Sequence, residues 1–165
     1  MTTPTRPDPT RTETDPVTVS VDVAAPADHV FDVFTRQMPT WWDADHHLLD
    51  GTVDMDVELR AGGSITEVDA AGNRCTIARV LVVERPARFV FTWDVSPRWE
   101  VETDPARCSE VHVAFTALDD RRTRVVLEHR HLDRHGDGWE GMRDAVGGAD
   151  GWAVDLRRLA KVAGG

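Results

Sequence analysis

The chain has no tyrosine, a single lysine and only two cysteines, and each shortage removes a class of explanation. Cys75 stands in a strand-like stretch and Cys108 in a polar loop, too few to staple a fold, and no CxxC pair offers metal-ligand spacing. Nothing resembles a secretory leader, so the thiols are expected reduced and the protein cytoplasmic. The longest apolar stretches are broken by charges before they reach the ~20 residues of a membrane span, so no membrane partner is expected. Phosphate-binding glycine loops, dinucleotide fingerprints and Ser-His-Asp signatures are missing too; the glycines of 136–141 lack a strand-loop-helix context. No cofactor is expected. Arginine supplies 18 of the 19 basic residues and aspartate outnumbers glutamate, a bias of GC-rich or salt-adapted microbes rather than the mark of a site. The formal charge of −10 is spread along the chain, which disfavours a phosphate-backbone binder, and nucleic acid is not an expected partner.

What is present suffices for one domain. A chain of 165 residues buries about 70% of its unfolded surface. Residues 1–16 hold four prolines among threonines with no apolar periodicity, a composition expected to remain a disordered tail ahead of a domain over 17–163. Val17, Val19, Val21 and Val23 alternate with polar residues as in a half-buried strand. Pro26 marks a helix start, and Val30, Phe31, Val33 and Phe34 give that helix a buried face; it should stop before Pro39. The stretch 38–49, with Trp41-Trp42 followed by Asp43, Asp45, His46 and His47, reads as a second short helix or turn. Hairpins follow, turning at Gly62-Gly63 and Ala71-Gly72-Asn73. Phe89, Phe91, Trp93 and Val95 then share one strand face. A loop over 96–107 carries Trp99 and is a candidate lid. The last pair of strands turns Val111, Val113 and Phe115 inward from the first, and sets Val125, Leu127, His129 and His131 on one face of the second.

The end of the chain carries an apolar stripe of Trp139, Met142, Val146, Trp152, Leu156, Leu159 and Val162 at three- and four-residue steps. Asp155 and its charged neighbours fill the opposite face. Gly147-Gly148 predicts a break between a helix over about 137–146 and one capped by Asp150 and running to about 162. The pattern is α+β: an antiparallel sheet of about seven strands that curls around a C-terminal helix and leaves a cavity for a small ligand.

Residues 17–163 resemble the SRPBCC superfamily, the START-like, birch-pollen-allergen-like helix-grip fold, and within it the activator of heat-shock-protein-90 ATPase homologues (AHSA-type domains). The likeness rests on Ala25-Pro26 before a Val-Phe helix, on Trp41-Trp42, and on the Gly62-Gly63 turn with Glu67 four residues on. It continues through Arg85-Pro86 leading into Phe89 to Trp93, Thr123 before Val125 to His129, and Gly151-Trp152 with Leu156 and Leu159. The chain departs from it at Ile77-Ala78, where such proteins often have Trp-Gly. The resemblance implies a β-α-α-β6-α domain with a cavity between sheet and terminal helix, and leaves the activity open.

Three arrangements bear on chemistry. His129, His131 and His135 have the types and spacing of zinc ligands, and Asp43, Asp45, His46 and His47 form a second titratable group, but a strand end and a solvated turn account for both and no metal is expected. Glu67 and His129 form a candidate acid and base inside the cavity, or a buried polar pair that orients a ligand. The tryptophans suit a flat aromatic ligand. The expected function is binding of a small hydrophobic molecule, with Trp41, Trp42, Glu67, Phe91, Trp93, Phe115, His129, Trp139 and Trp152 as lining residues. Alternatives are a surface partner of a chaperone ATPase, or a cyclase, aromatase or hydrolase using His129 and Glu67. The molecule is expected as a monomer or homodimer.

Overall fold

In the computed structural model, which describes residues 15–165, the valines of β1 (Val17–Val23) turn inward at every second position while the polar residues between them face solvent. Most of the expected tail, residues 1–14, lies outside the described residues. Helix α1 (Ala27–Arg36) starts after Pro26 and buries Val30, Phe31, Val33 and Phe34. A single-turn helix α2 (Met38–Trp41) follows at once. Pro39 stands in its first turn, where a missing N–H costs nothing, so this proline opens a helix. The remaining strands are β2 (Thr52–Val57), β3 (Ser64–Asp69), β4 (Arg74–Glu84), β5 (Arg88–Trp93), β6 (Ser109–Asp119) and β7 (Arg122–Arg130), and the chain ends in α3 (Trp139–Gly147) and α4 (Trp152–Gly164).

The seven strands form one antiparallel sheet in the order β1-β7-β6-β5-β4-β3-β2. Strands β2 to β7 follow one another as neighbours, while β1 joins the far edge, pairing Val17 with His129 and Val23 with Thr123. Helices α1 and α2 carry the chain across from β1 to β2 at the opposite edge. The long strand β4 slips register against both neighbours, skipping Ile77 against β3 and Leu81 against β5. Each extra residue bends its strand and adds twist, which curls the sheet around the helices. This is the α+β helix-grip architecture, with α3 preceding the gripped helix.

Helix α4 packs on β1, α1 and α2 and buries Trp152, Leu156, Leu159 and Ala163. Two expectations for its faces are corrected. Val162 is 40% exposed and Ala163 takes the inward place, whereas Asp155, assigned to the solvent face, is only 2% exposed. The cap differs as well: Gly151, not Asp150, precedes the helix. A Cβ at Gly151 would lie 2.2 Å from the Val146 carbonyl oxygen, so only glycine passes here. Val53 of β2 sits at a register slip and is exposed.

The core begins as an aromatic cluster. Phe31 and Phe34 of α1 meet Phe89 and Phe115 of the sheet edge to face, with centroids 5.2 to 6.4 Å apart. Trp41 stacks on Phe34 at 4.5 Å and gives its indole N–H to the Val33 and Phe34 carbonyls. Such pairs add about 0.5–1.5 kcal/mol each beyond area burial, which anchors α1 and α2 and fixes where the chain after Trp41 emerges.

Candidate functional site

A second aromatic group stands at the N-terminal end of α4. Trp42 follows α2, Trp93 ends β5 and Trp152 begins α4, so three separate elements each deliver one indole. Trp42 and Trp93 lie nearly parallel at 6.3 Å, and Trp152 meets them edge-on at 5.6 and 5.3 Å. These indoles wall a cavity of about 550 Å³ that Leu48, Ile77 and Val95 also line. Trp99 reaches its rim from the 96–107 loop, held at a positive φ of 60° with half its surface exposed. The indole N–H groups of Trp42 and Trp93 are buried and bond no acceptor among the described residues. A smaller, more polar hollow of about 340 Å³, lined by Pro39, Thr52 and Arg158, shares Trp42 and His47 with the first.

Behind Trp152 runs a buried hydrogen-bond chain with one allowed direction. An indole N–H can only donate, so Trp152 Nε1 gives its proton to His129 Nδ1 at 3.1 Å. His129 then carries its own hydrogen on Nε2 and donates to Ser109 Oγ at 2.7 Å; the hydroxyl in turn donates to His135 Nε2 at 2.7 Å. The His135 Nδ1–H that closes the chain has no partner among the described residues. Both rings are fully buried. Burial, reinforced by the neighbouring His135, pushes His129 down to about 3, and burial lowers His135 also. Two neutral imidazoles thus hold the cavity's back wall.

The segment after Trp42 supplies two histidine–carboxyl pairs. His46 Nδ1 donates to Asp155 at 3.0 Å and its Nε2 donates to the Asp150 carbonyl at 2.8 Å, so both ring nitrogens carry hydrogen and the ring is an imidazolium. The hydrogen bond to Asp155 raises the His46 pKa. Asp155 takes a further bond from the Asp43 N–H at 2.8 Å, which ties this segment to α4. His47 Nδ1 donates to Glu67, and the other Glu67 oxygen accepts the Leu48 and Leu49 N–H groups at 2.8 and 3.1 Å. Glu67 is completely buried. His47 lines the cavity and no bond is made by its Nε2 among the described residues.

Of the lining residues expected from sequence, Trp42, Trp93 and Trp152 meet at this cavity, with His129 directly behind Trp152. Trp41 and Phe115 belong to the phenylalanine core, and Phe91 is buried beside Phe89 with its edge toward Trp152. Trp139 lies off the cavity, half-buried, with the Arg143 guanidinium 5.0 Å over its ring. Glu67 and His129 do not pair; each has a different partner. His131 does not share the His129 face, because β7 ends at Arg130 and His131 adopts a left-handed conformation with φ of 64°. That turn instead buries His135, which the sequence places in a polar loop. Asp43, Asp45, His46 and His47 are not merely a solvated turn, since both histidines are claimed by buried carboxyl groups. Among the described residues no group of three or more His, Cys, Asp or Glu is placed to hold a metal ion, and no helix is long and apolar enough to cross a membrane. Both cysteines are free, and burial pushes the Cys108 thiol up to about 12.

Residues 24–164 match the family model for "Activator of Hsp90 ATPase homolog 1-like protein". Among solved structures the chain is similar to an anthrahydroquino-gamma-pyrone synthase, Txn09, at 35% identity over 90% of this chain and 96% of that one, with a TM-score of 0.65. It is similar to the self-sacrificing resistance protein CalC from Micromonospora echinospora at 26% identity, covering 91% and 94% of the two chains, with a TM-score of 0.63. A protein from Nitrosomonas europaea, 17% identical over 92% and 96% of the two chains with a TM-score of 0.66, shares the fold. No curated protein matches the chain.

Proposed function

The chain belongs to the family of Activator of Hsp90 ATPase homolog 1-like proteins, and on that premise we propose that it binds a flat, apolar, aromatic small molecule in the cavity walled by Trp42, Trp93 and Trp152. The observation that carries the reading is the convergence of three indoles from three elements on a space of about 550 Å³, inside the ~300–1,000 Å³ range of small-molecule sites. A core built only for packing needs no such space. Asp45, Asp144 and Asp150 line the same space and disfavour an anionic ligand. Similarity to a protein named as an anthrahydroquino-gamma-pyrone synthase supports the aromatic class.

The test is quenching of tryptophan fluorescence on titration with neutral polycyclic aromatic ketones and quinones, alongside fatty acids. Saturable quenching by the aromatic set is expected, with affinity about tenfold weaker in Trp93→Ala, the equivalent of one lost aromatic contact. A folded protein that shows no saturable response would overturn the reading. The family's description and the net charge of −10 favour a second reading, an ATPase partner with a basic patch. That association would weaken steeply with salt, whereas a neutral ligand in the cavity would not respond.

A further inference from the structure

His47 is held in a way that ligand binding alone does not require. His46 and His129 each have both ring nitrogens occupied. His47 has one. Its Nδ1 donates to Glu67, whose other oxygen is filled by the Leu48 and Leu49 N–H groups, so the carboxyl group acts as acceptor, and whenever the ring carries a single hydrogen that hydrogen is on Nδ1. The Nε2 lone pair is therefore left without a bond among the described residues, on a ring that lines the tryptophan cavity and is only 12% exposed. Orientation by a fully buried carboxyl group and a free nitrogen beside an aromatic ligand space are the two requirements of a positioned base.

We propose that His47, oriented by Glu67, is a general base that removes the proton alpha to the carbonyl of an enolisable aromatic ketone bound in this cavity. The inference rests on the aromatic-ligand reading above and adds a reaction to it. Nε2 takes the alpha proton, the C–H electron pair becomes the carbon–carbon double bond of an enolate, and the carbonyl π pair moves onto oxygen. The new imidazolium lies between the enolate and Glu67, so charge is created as a compensated pair. Return of the proton to carbon regenerates the ketone, and return to oxygen gives the enol; neither route needs an oxidant or a further reactant. Glu67 touches no ligand and is a positioning residue.

The probe is β-tetralone in D2O at fixed pD, with proton NMR following loss of its alpha-proton signal. His47 releases its proton to solvent and returns a deuteron, so wild-type protein is expected to speed the exchange saturably. His47→Gln should lower that rate by about 10²-fold or more while tetralone still quenches tryptophan fluorescence within twofold of wild type and the melting temperature is kept. Glu67→Gln should lower the maximal rate with little change in the concentration giving half of it, a split that simple loss of folding would not produce. Quenching without accelerated exchange, or exchange that survives His47→Gln, overturns the base and leaves the binding reading standing. Absence of both quenching and exchange overturns the two together.

Discussion

Acidification is expected to weaken the protein through His129 before its carboxylates begin to titrate. The unfolded ring takes a proton near 6.5, whereas the folded ring, sealed behind Trp152, does so only at about 3. Between those values the unfolded chain binds a proton that the folded chain refuses, so stability falls as pH falls, by about 1.4 kcal/mol per unit well inside the window. From about pH 6.5 to about pH 4.5 the integrated loss is roughly 2 kcal/mol, a large share of a typical 5–15 kcal/mol. His135, lowered by burial, adds to the loss with the same sign. His46 acts in the opposite sense. Its raised pKa contributes stability that is complete below 6.5 and disappears as pH rises through the folded value, so the profile should peak near the ordinary histidine range. Urea unfolding followed by circular dichroism across that range measures the slope directly. His129→Gln removes one titrating group and should flatten the acid limb by about 1.4 kcal/mol per unit, while costing about 1–3 kcal/mol at neutral pH for the disturbed bonds to Ser109 and Trp152. A wild-type protein equally stable at both ends of the window, or a variant with an unchanged slope, refutes the assignment of a neutral buried His129.

Further outcomes follow from the same geometry. Ser109→Ala should cost about 2 kcal/mol or more in urea unfolding, because it strips a partner from two buried imidazoles at once. Asp155→Asn should lower the melting temperature more at mildly acidic pH than at alkaline pH, since it removes the charge that favours the His46 imidazolium. Gly151→Ala should destabilise by about 2–4 kcal/mol, because its methyl would meet the Val146 carbonyl and force α4, with Trp152 at its start, out of place.

The elements were legible where their pattern is local. Alternating valines marked β1, the Val-Phe face marked α1, and the glycine pairs marked turns and the α3–α4 break, all within a few residues of one another. Partners were not legible, because Glu67 and His47 are 20 residues apart and Asp155 and His46 are 109 apart, and nothing in either stretch names the other. His135 was hidden by a single backbone event, the left-handed turn at His131 that ends β7 and folds the next residues back under the sheet. A signal for Ser109 was available: extending the inward series of Val113 and Val111 one step back places its hydroxyl inside, diagonal to His129. For His46 and His47 the cue was their position directly after two tryptophans, since a segment anchored by buried indoles cannot move freely into solvent.

Trp42 and His47 belong to the walls of both hollows and therefore act as a partition between two chambers. A guest longer than the tryptophan chamber gains the second one only by swinging one of these side chains aside. Moving Trp42 gives up its stacking on Trp93, and moving His47 breaks its tie to Glu67. With His47 as the proposed base, molecular length would be coupled to reactivity: a short guest would leave the partition shut and meet the oriented ring, whereas a long one that displaced His47 would be released unchanged.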